Sequence, residues 1–180
     1  MNIGSRLRGA LLTLAALAAT VFLGGCSGDA VDVGVYIDPD IEDIYGYCPT
    51  FEVDIVGLNE TDRRRFLKYD VQRYFEMPGH FRRSLNPVTL KFSDQDLVGR
   101  IIPGKAPNWK VWEDKGAEAL GVIVNLPLVT THRNPARDPR KSVLVLGDKL
   151  HNVLVGAEGA RAIDSPPAGV EARKLSRGDY

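Results

Sequence analysis

Phe51-Glu52-Val53-Asp54-Ile55-Val56-Gly57-Leu58-Asn59 is the stretch on which the fold turns. Phe51, Val53 and Ile55 alternate with Glu52 and Asp54, the period of two that sends successive side chains to opposite faces of a strand. Gly57-Leu58-Asn59 ends it, giving a half-buried strand. Val88-Thr89-Leu90-Lys91-Phe92 alternates in the same way directly after Asn86-Pro87. Ala119 to Leu128 is the most apolar segment beyond residue 30, with Leu120, Val122, Val124 and Leu126, and reads as a central, well-buried strand. Upstream, Val31, Val33, Val35 and Ile37 alternate with Asp32, Gly34, Tyr36 and Asp38 until Asp38-Pro39-Asp40 breaks the pattern.

Ser142 to Leu146 and Asn152 to Val155 read as a hairpin around Gly147-Asp148-Lys149, with Ala157 to Ile163 as an edge strand. Helical signals are short. Thr61 is placed to cap a turn through Asp62 to Phe66, and Asn108 to Lys115 reads as a short helix stopped by Gly116. Its Trp109 and Trp112 are three apart on one face, the spacing of core packing. Leu67 to Phe75 fits either period; its aromatic and β-branched residues, closed by Pro78-Gly79, favour a strand. Short strands separated by turn signals predict an all-β fold, an antiparallel β-sandwich with one short helix, over residues 48–163. Residues 164–180, with Ser-Pro-Pro-Ala-Gly directly after Asp164, read as a disordered tail.

The first 25 residues carry a different message. A basic start (Arg6, Arg8) precedes an apolar run from Ala10 to Leu23, the length of a signal-peptide core and too short for a comfortable bilayer span. Leu23-Gly24-Gly25-Cys26 then matches a lipobox, and the segment resembles the signal of bacterial lipoproteins. That resemblance implies cleavage between Gly25 and Cys26, acylation of Cys26 with palmitate-type chains, and a domain tethered to a leaflet. Two or more chains suffice for stable anchoring, each buried methylene contributing about 0.8 kcal/mol. Ser27, rather than an aspartate, directs such a protein to the outer membrane, with the periplasmic face as the default.

Cleavage would leave 21 basic and 23 acidic residues, a balance that excludes the basic excess of a nucleic-acid binder. Nine acids and no Lys or Arg lie between Asp29 and Glu60. Residues 26–47 therefore read as a solvated acidic leader, one that would hold the domain away from anionic lipid. With Cys26 acylated, Cys48 has no partner and is expected as a small buried apolar residue. His80, His132 and His151 stand at no metal-ligand spacing, and neither a nucleophile elbow nor a phosphate loop occurs. Asp94 and Asp96 lack the rest of a calcium loop. No catalytic residue, metal or cofactor is predicted. The loop His132 to Lys141 carries Arg133, Arg137, Arg140 and Lys141 with two prolines between two strands, and these four are the candidate partner-binding residues, expected as exposed charges at one end of the sandwich. Arg63-Arg64-Arg65 is a second basic cluster.

Lipobox, acidic leader and a β domain of this size together resemble the outer-membrane lipoproteins of type VI secretion systems, the TssJ-like family. The segments that align are Phe51 to Asn59 as opening strand, Lys68 to Phe75 as the next, and Gly116 to Pro127 with its Leu-Gly-Val-Ile-Val core. The resemblance implies a transthyretin-like sandwich that docks the periplasmic end of an inner-membrane partner, without catalysis. The Arg-rich loop and the tryptophan helix lie outside it. The competing classes are a lipoprotein enzyme or small-ligand receptor, which would need a pocket with perturbed ionisable groups, and a purely structural envelope lipoprotein.

Overall fold

Val33, Val35 and Ile37 share one face of β1 (Val33–Ile37), and that face is fully buried because β1 runs through the middle of a sheet. The computed structural model describes residues 31–76, 79–127, 134–147 and 151–179. In the first sheet β1 is flanked by β4 (Gly99–Ile102) and β7 (His151–Gly156), with β8 (Gly159–Ile163) and β9 (Ala172–Lys174) outermost, in the order β8-β7-β1-β4-β9. The second sheet has the order β3 (Val88–Phe92), β2 (Phe51–Leu58), β5 (Ala119–Val124), β6 (Lys141–Val145). Val33, Val35, Val153 and Val155 from the first sheet meet Val53, Ile55, Leu90 and Val122 from the second, and this is the main core. At one sheet edge the Ala160 N–H donates to the Pro139 carbonyl at 2.9 Å, joining the two layers.

Five helices occur among the described residues, not one. α1 (Asp40–Tyr45) follows β1, and α2 (Glu60–Lys68), α3 (Val71–Glu76) and α4 (His80–Leu85) follow β2. Phe66, Val71, Tyr74, Phe81 and Leu85 from these last three cover the outer face of the second sheet at Val56, Leu58, Ala119 and Ile123. β2 is consequently buried on both faces rather than half-buried. α5 (Pro107–Asp114) closes one end, its Trp109 and Trp112 in the core as expected. Trp112 lies so close to Gly57 that a Cβ there would fall 2.3 Å from the indole, so β2 needs glycine at that point.

Several sequence expectations are corrected. Leu67 to Phe75 is not a strand: it is the end of α2 and most of α3, because its apolar residues meet the second sheet at helical spacing while Asp70 accepts from the Arg73 N–H at 2.9 Å. Asn59, not Thr61, caps α2, its side chain accepting from the Asp62 N–H at 2.8 Å. The predicted hairpin is split, with β6 in the second sheet and β7 in the first, where β7 pairs β1 in parallel register. The β4–β9 pair is parallel as well, so the first sheet is mixed. Residues 33–45, expected in a solvated leader, belong to the sandwich, since β1 makes ladders on both sides. The expected disordered tail contributes β9, and Leu175 enters the core. Residues 1–30, with Gly25 and Cys26, lie outside the described residues.

A buried charge fixes the helical layer. Asp54 on β2 has no exposed surface and accepts from Arg82 Nε at 2.7 Å, Arg82 Nη2 at 3.0 Å, Thr89 Oγ1 at 2.7 Å and Tyr74 Oη at 3.0 Å. Burial, then the adjacent carboxylate, pushes the Tyr74 hydroxyl far up, which keeps it a donor. Asp54→Ala is expected to cost about 3–5 kcal/mol in urea unfolding, the range for orphaning one partner of a buried pair. Lys91→Ala, which removes an exposed ion pair to Glu52 at 3.5 Å, should change stability by less than about 1 kcal/mol.

Candidate functional site

One end of the sandwich gathers the loops 38–50 and 93–98 with residues 125–127, 134–140 and 157–158, where β1, β3, β5 and β7 finish. α1 sits across it. Asp40, Glu42 and Asp43 lie in its first turn, where carboxylates suit the helix dipole, and Ile41 packs inward. The Tyr45 hydroxyl donates to the Pro127 carbonyl and lies 3.3 Å from that of Ala157, pinning the helix to two other loops. Gly46, with φ +71°, ends α1 in the left-handed conformation and donates to the Glu42 carbonyl at 2.9 Å. Ile44 and Tyr47 are thereby turned outward, 49% and 60% exposed, and Val98 of the neighbouring loop is exposed as well. Exposed apolar side chains and the carboxylates of α1 therefore share this end.

Cys48 lies beneath this surface, buried and free as expected. Burial, with smaller contributions from Asp94 and Glu42, pushes its thiol up, away from thiolate chemistry. Asp94 and Asp96 belong to a tight turn in which the Asp96 N–H donates to the Ser93 carbonyl at 3.0 Å. Asp96 also accepts from the buried Arg100 at 2.5 Å. Among the described residues no group of three His, Cys, Asp or Glu side chains is placed to hold a metal ion.

The basic loop divides into parts with different roles. Arg133 and His132 lie outside the described residues. Asn134 caps a single 3-10 turn, Pro135–Arg137, accepting from the Ala136 N–H at 3.0 Å, and Arg137 is exposed. Arg140 instead folds back on Asp138, with Nε at 3.0 Å and Nη2 at 2.8 Å, and its Nη1 reaches the Leu126 carbonyl at 3.3 Å. Burial opposes ionisation of Asp138, yet the hydrogen bonds from Arg140 hold its carboxyl below the usual range. Lys141 Nζ donates to the carbonyls of Phe66, Leu67 and Tyr69 at 3.1, 2.8 and 2.7 Å, closing the C-terminal end of α2. Burial brings its amine down to about 8. The expectation of four exposed charges is therefore corrected for Arg140 and Lys141, which satisfy internal acceptors.

The other basic cluster is likewise engaged: Arg63 and Arg64 each meet Glu60 at 2.7 Å, and Arg65 stacks over Phe81. His80 is exposed, and burial lowers the half-buried His151. A cleft of about 310 Å³ behind α1 is lined by Asp38, Asp40, Lys141, Glu158 and Arg161. It brings no nucleophile against a base. Ile44 and Tyr47 were missed in the sequence because residues 26–47 were read as leader; the signal was Asp40-Ile-Glu-Asp-Ile-Tyr, closed by Gly46.

No protein-family profile matches the chain. No curated protein matches it either. Among solved structures, the C-terminal domain of the type VI secretion protein TssM from EAEC aligns with a TM-score of 0.50 and 11% identity, covering 74% of this chain and 99% of that domain. The type VI secretion lipoprotein TssJ1 from Pseudomonas aeruginosa aligns at 0.45 and 15% identity, over 76% of this chain and 96% of its own. Lip from Serratia marcescens, a membrane-bound component of the type VI secretion system, aligns at 0.43 and 11%, over 75% and 98%. At such identity the TssM likeness shows the fold, and the β-sandwich expected from the sequence is the one observed.

Lys141 and Arg137 should separate in stability. Lys141→Met is expected to cost about 2 kcal/mol at pH 7, the scale of hydrogen bonds from a charged donor, while Arg137→Gln stays within about 0.5 kcal/mol. Folding lowers the proton affinity of Lys141, so between about 8 and 10.5 the unfolded chain holds the proton more tightly. Stability from this group therefore rises with pH across that window and is lost as pH falls through about 8. Unfolding of wild type and Lys141→Met at stepped pH should show their difference widening from pH 8 upward.

Proposed function

We propose that the mature chain is an outer-membrane lipoprotein, acylated at Cys26, exposed to the periplasm, and acting without catalysis as a protein-docking module of a type VI secretion-like envelope assembly. The single observation that carries the docking role is the pair Ile44, on α1, and Tyr47, just past its Gly46 cap, both large and exposed at the end of the sandwich remote from where the chain enters β1. A folded surface with an apolar centre and a charged margin has the anatomy of a recognition patch. The lipobox supports the anchor, and the fold shared with a domain of a type VI secretion protein supports the setting. The partner is a periplasmic segment of an inner-membrane protein, with basic side chains to meet Glu42 and Asp43. Arg137, at the margin of the same end, and Arg133 are the members of the basic loop retained for contact with acidic groups.

Two experiments test this. Metabolic labelling with a palmitate analogue should mark the wild type and leave Cys26→Ser unmarked; an unmarked wild type sinks the anchor. Affinity purification from membranes should recover an inner-membrane partner with the wild type, and much less with Ile44→Asp/Tyr47→Asp. Both positions are exposed, so the thermal midpoint should move by no more than a few degrees, as roughly 0.5 kcal/mol per surface change implies. Undiminished recovery by the double variant would move docking away from α1.

A further inference from the structure

The end opposite the loops carries a second, differently charged surface. Pro103, Ala106, Pro107 and Leu175 form the floor of a cleft of about 500 Å³, and Lys105, Lys110 and Arg177 stand around it. All three cations are exposed. Of the acids at this end, Asp32 pairs with Lys174 at 2.6 Å, Asp114 with Lys110 at 3.7 Å, and Asp179 accepts from the Ser176 N–H and hydroxyl at 2.7 and 2.9 Å, while Glu113 on α5 is exposed. Among the described residues Lys105 and Arg177 have no carboxylate within ion-pair distance. Asp32 also accepts from the Gly104 N–H at 2.9 Å, so the loop bearing Lys105 is tied to the residue that leads into β1.

That tie sets a distance. Cys26 and Asp32 are six residues apart, a span of at most roughly 20 Å when fully extended. We infer that Lys105, Lys110 and Arg177 rest on the phosphate-bearing headgroups of the leaflet that holds the anchor, fixing the domain with its acidic α1 end away from the membrane. The inference rests on acylation at Cys26, as proposed above. The short tether delivers this end and no other, and its charge complements lipid phosphate. Asp38, Asp40, Glu42 and Asp43, expected in the sequence as a leader repelled by lipid, are instead carried to the far end by β1.

The test uses the acylated protein in nanodiscs of phosphatidylcholine alone or with phosphatidylglycerol, its acylation read by intact mass. An amine-reactive label is then followed residue by residue. With phosphatidylglycerol present, Lys105 and Lys110 should react about fivefold more slowly, the ratio corresponding to ~1 kcal/mol per basic residue at an anionic surface. Lys68, at the far end of α2, should react equally in both. In Arg177→Gln the slowing at Lys105 should shrink, and added salt should abolish it. Acylated protein with equal labelling in both discs overturns this inference alone. Protein without acyl chains overturns the anchored reading and this inference with it.

Discussion

A carboxylate with no access to water decides how the helices of this protein sit. Asp54 alternates with core residues on β2, so its side chain projects to the outer face of the second sheet, where α2, α3 and α4 cover it. An uncompensated charge there would be intolerable, and the compensation comes from three places at once: Arg82 on α4, Tyr74 on α3 and Thr89 on β3. Arg82 also reaches Glu52 at 3.0 Å and stacks over Phe75. Buried ion pairs add little net stability over a hydrophobic alternative. Their effect is selective. Any other placement of the helical layer strands Asp54 or Arg82, so in this protein the network acts to fix one placement.

With that face closed by helices, the outer face of the second sheet is not available to a partner. Lys141 makes the same point at smaller scale. It starts β6, in the second sheet, yet its ammonium serves the last carbonyls of α2, and its neighbour Arg140 holds Asp138 and the Leu126 carbonyl. These cations satisfy acceptors that the sandwich would otherwise leave bare. A basic run in a sequence announces charge but not its destination.

This separates what was legible from what was not. Periodicity of two located β1, β2, β3 and β5, and the tryptophan spacing located α5 with its inward face, because these patterns are local and record burial directly. Strand partners were not legible: Gly147-Asp148-Lys149 looks like a hairpin turn, yet β7 lies in the other sheet beside β1, a pairing separated by more than a hundred residues of sequence. Leu67 to Phe75 misled because aromatic and β-branched residues suit either element, and only the sheet beneath them selects the helical spacing. Reading residues 26–47 as leader hid the candidate site as well. Charge density outweighed the alternation at Val33 to Ile37 in that reading, while burial in the structure follows the alternation.

The central place of β1 carries a mechanical consequence for a tethered protein. A leader of acidic coil would let the domain turn freely and would isolate the docking end from the anchor. Here the chain from Cys26 enters β1 within seven residues, and β1 ends at Ile37, three residues before α1 begins. A pull between an anchored Cys26 and a partner on Ile44 or Tyr47 runs along β1 itself. β1 is hydrogen-bonded on one side to β4 and on the other to β7, so the strand that takes this tension is held in register from both sides. An edge strand such as β9 has a single neighbour to hold it. The strand that links the two ends is thus a central one, fixed by two neighbours along the line between them.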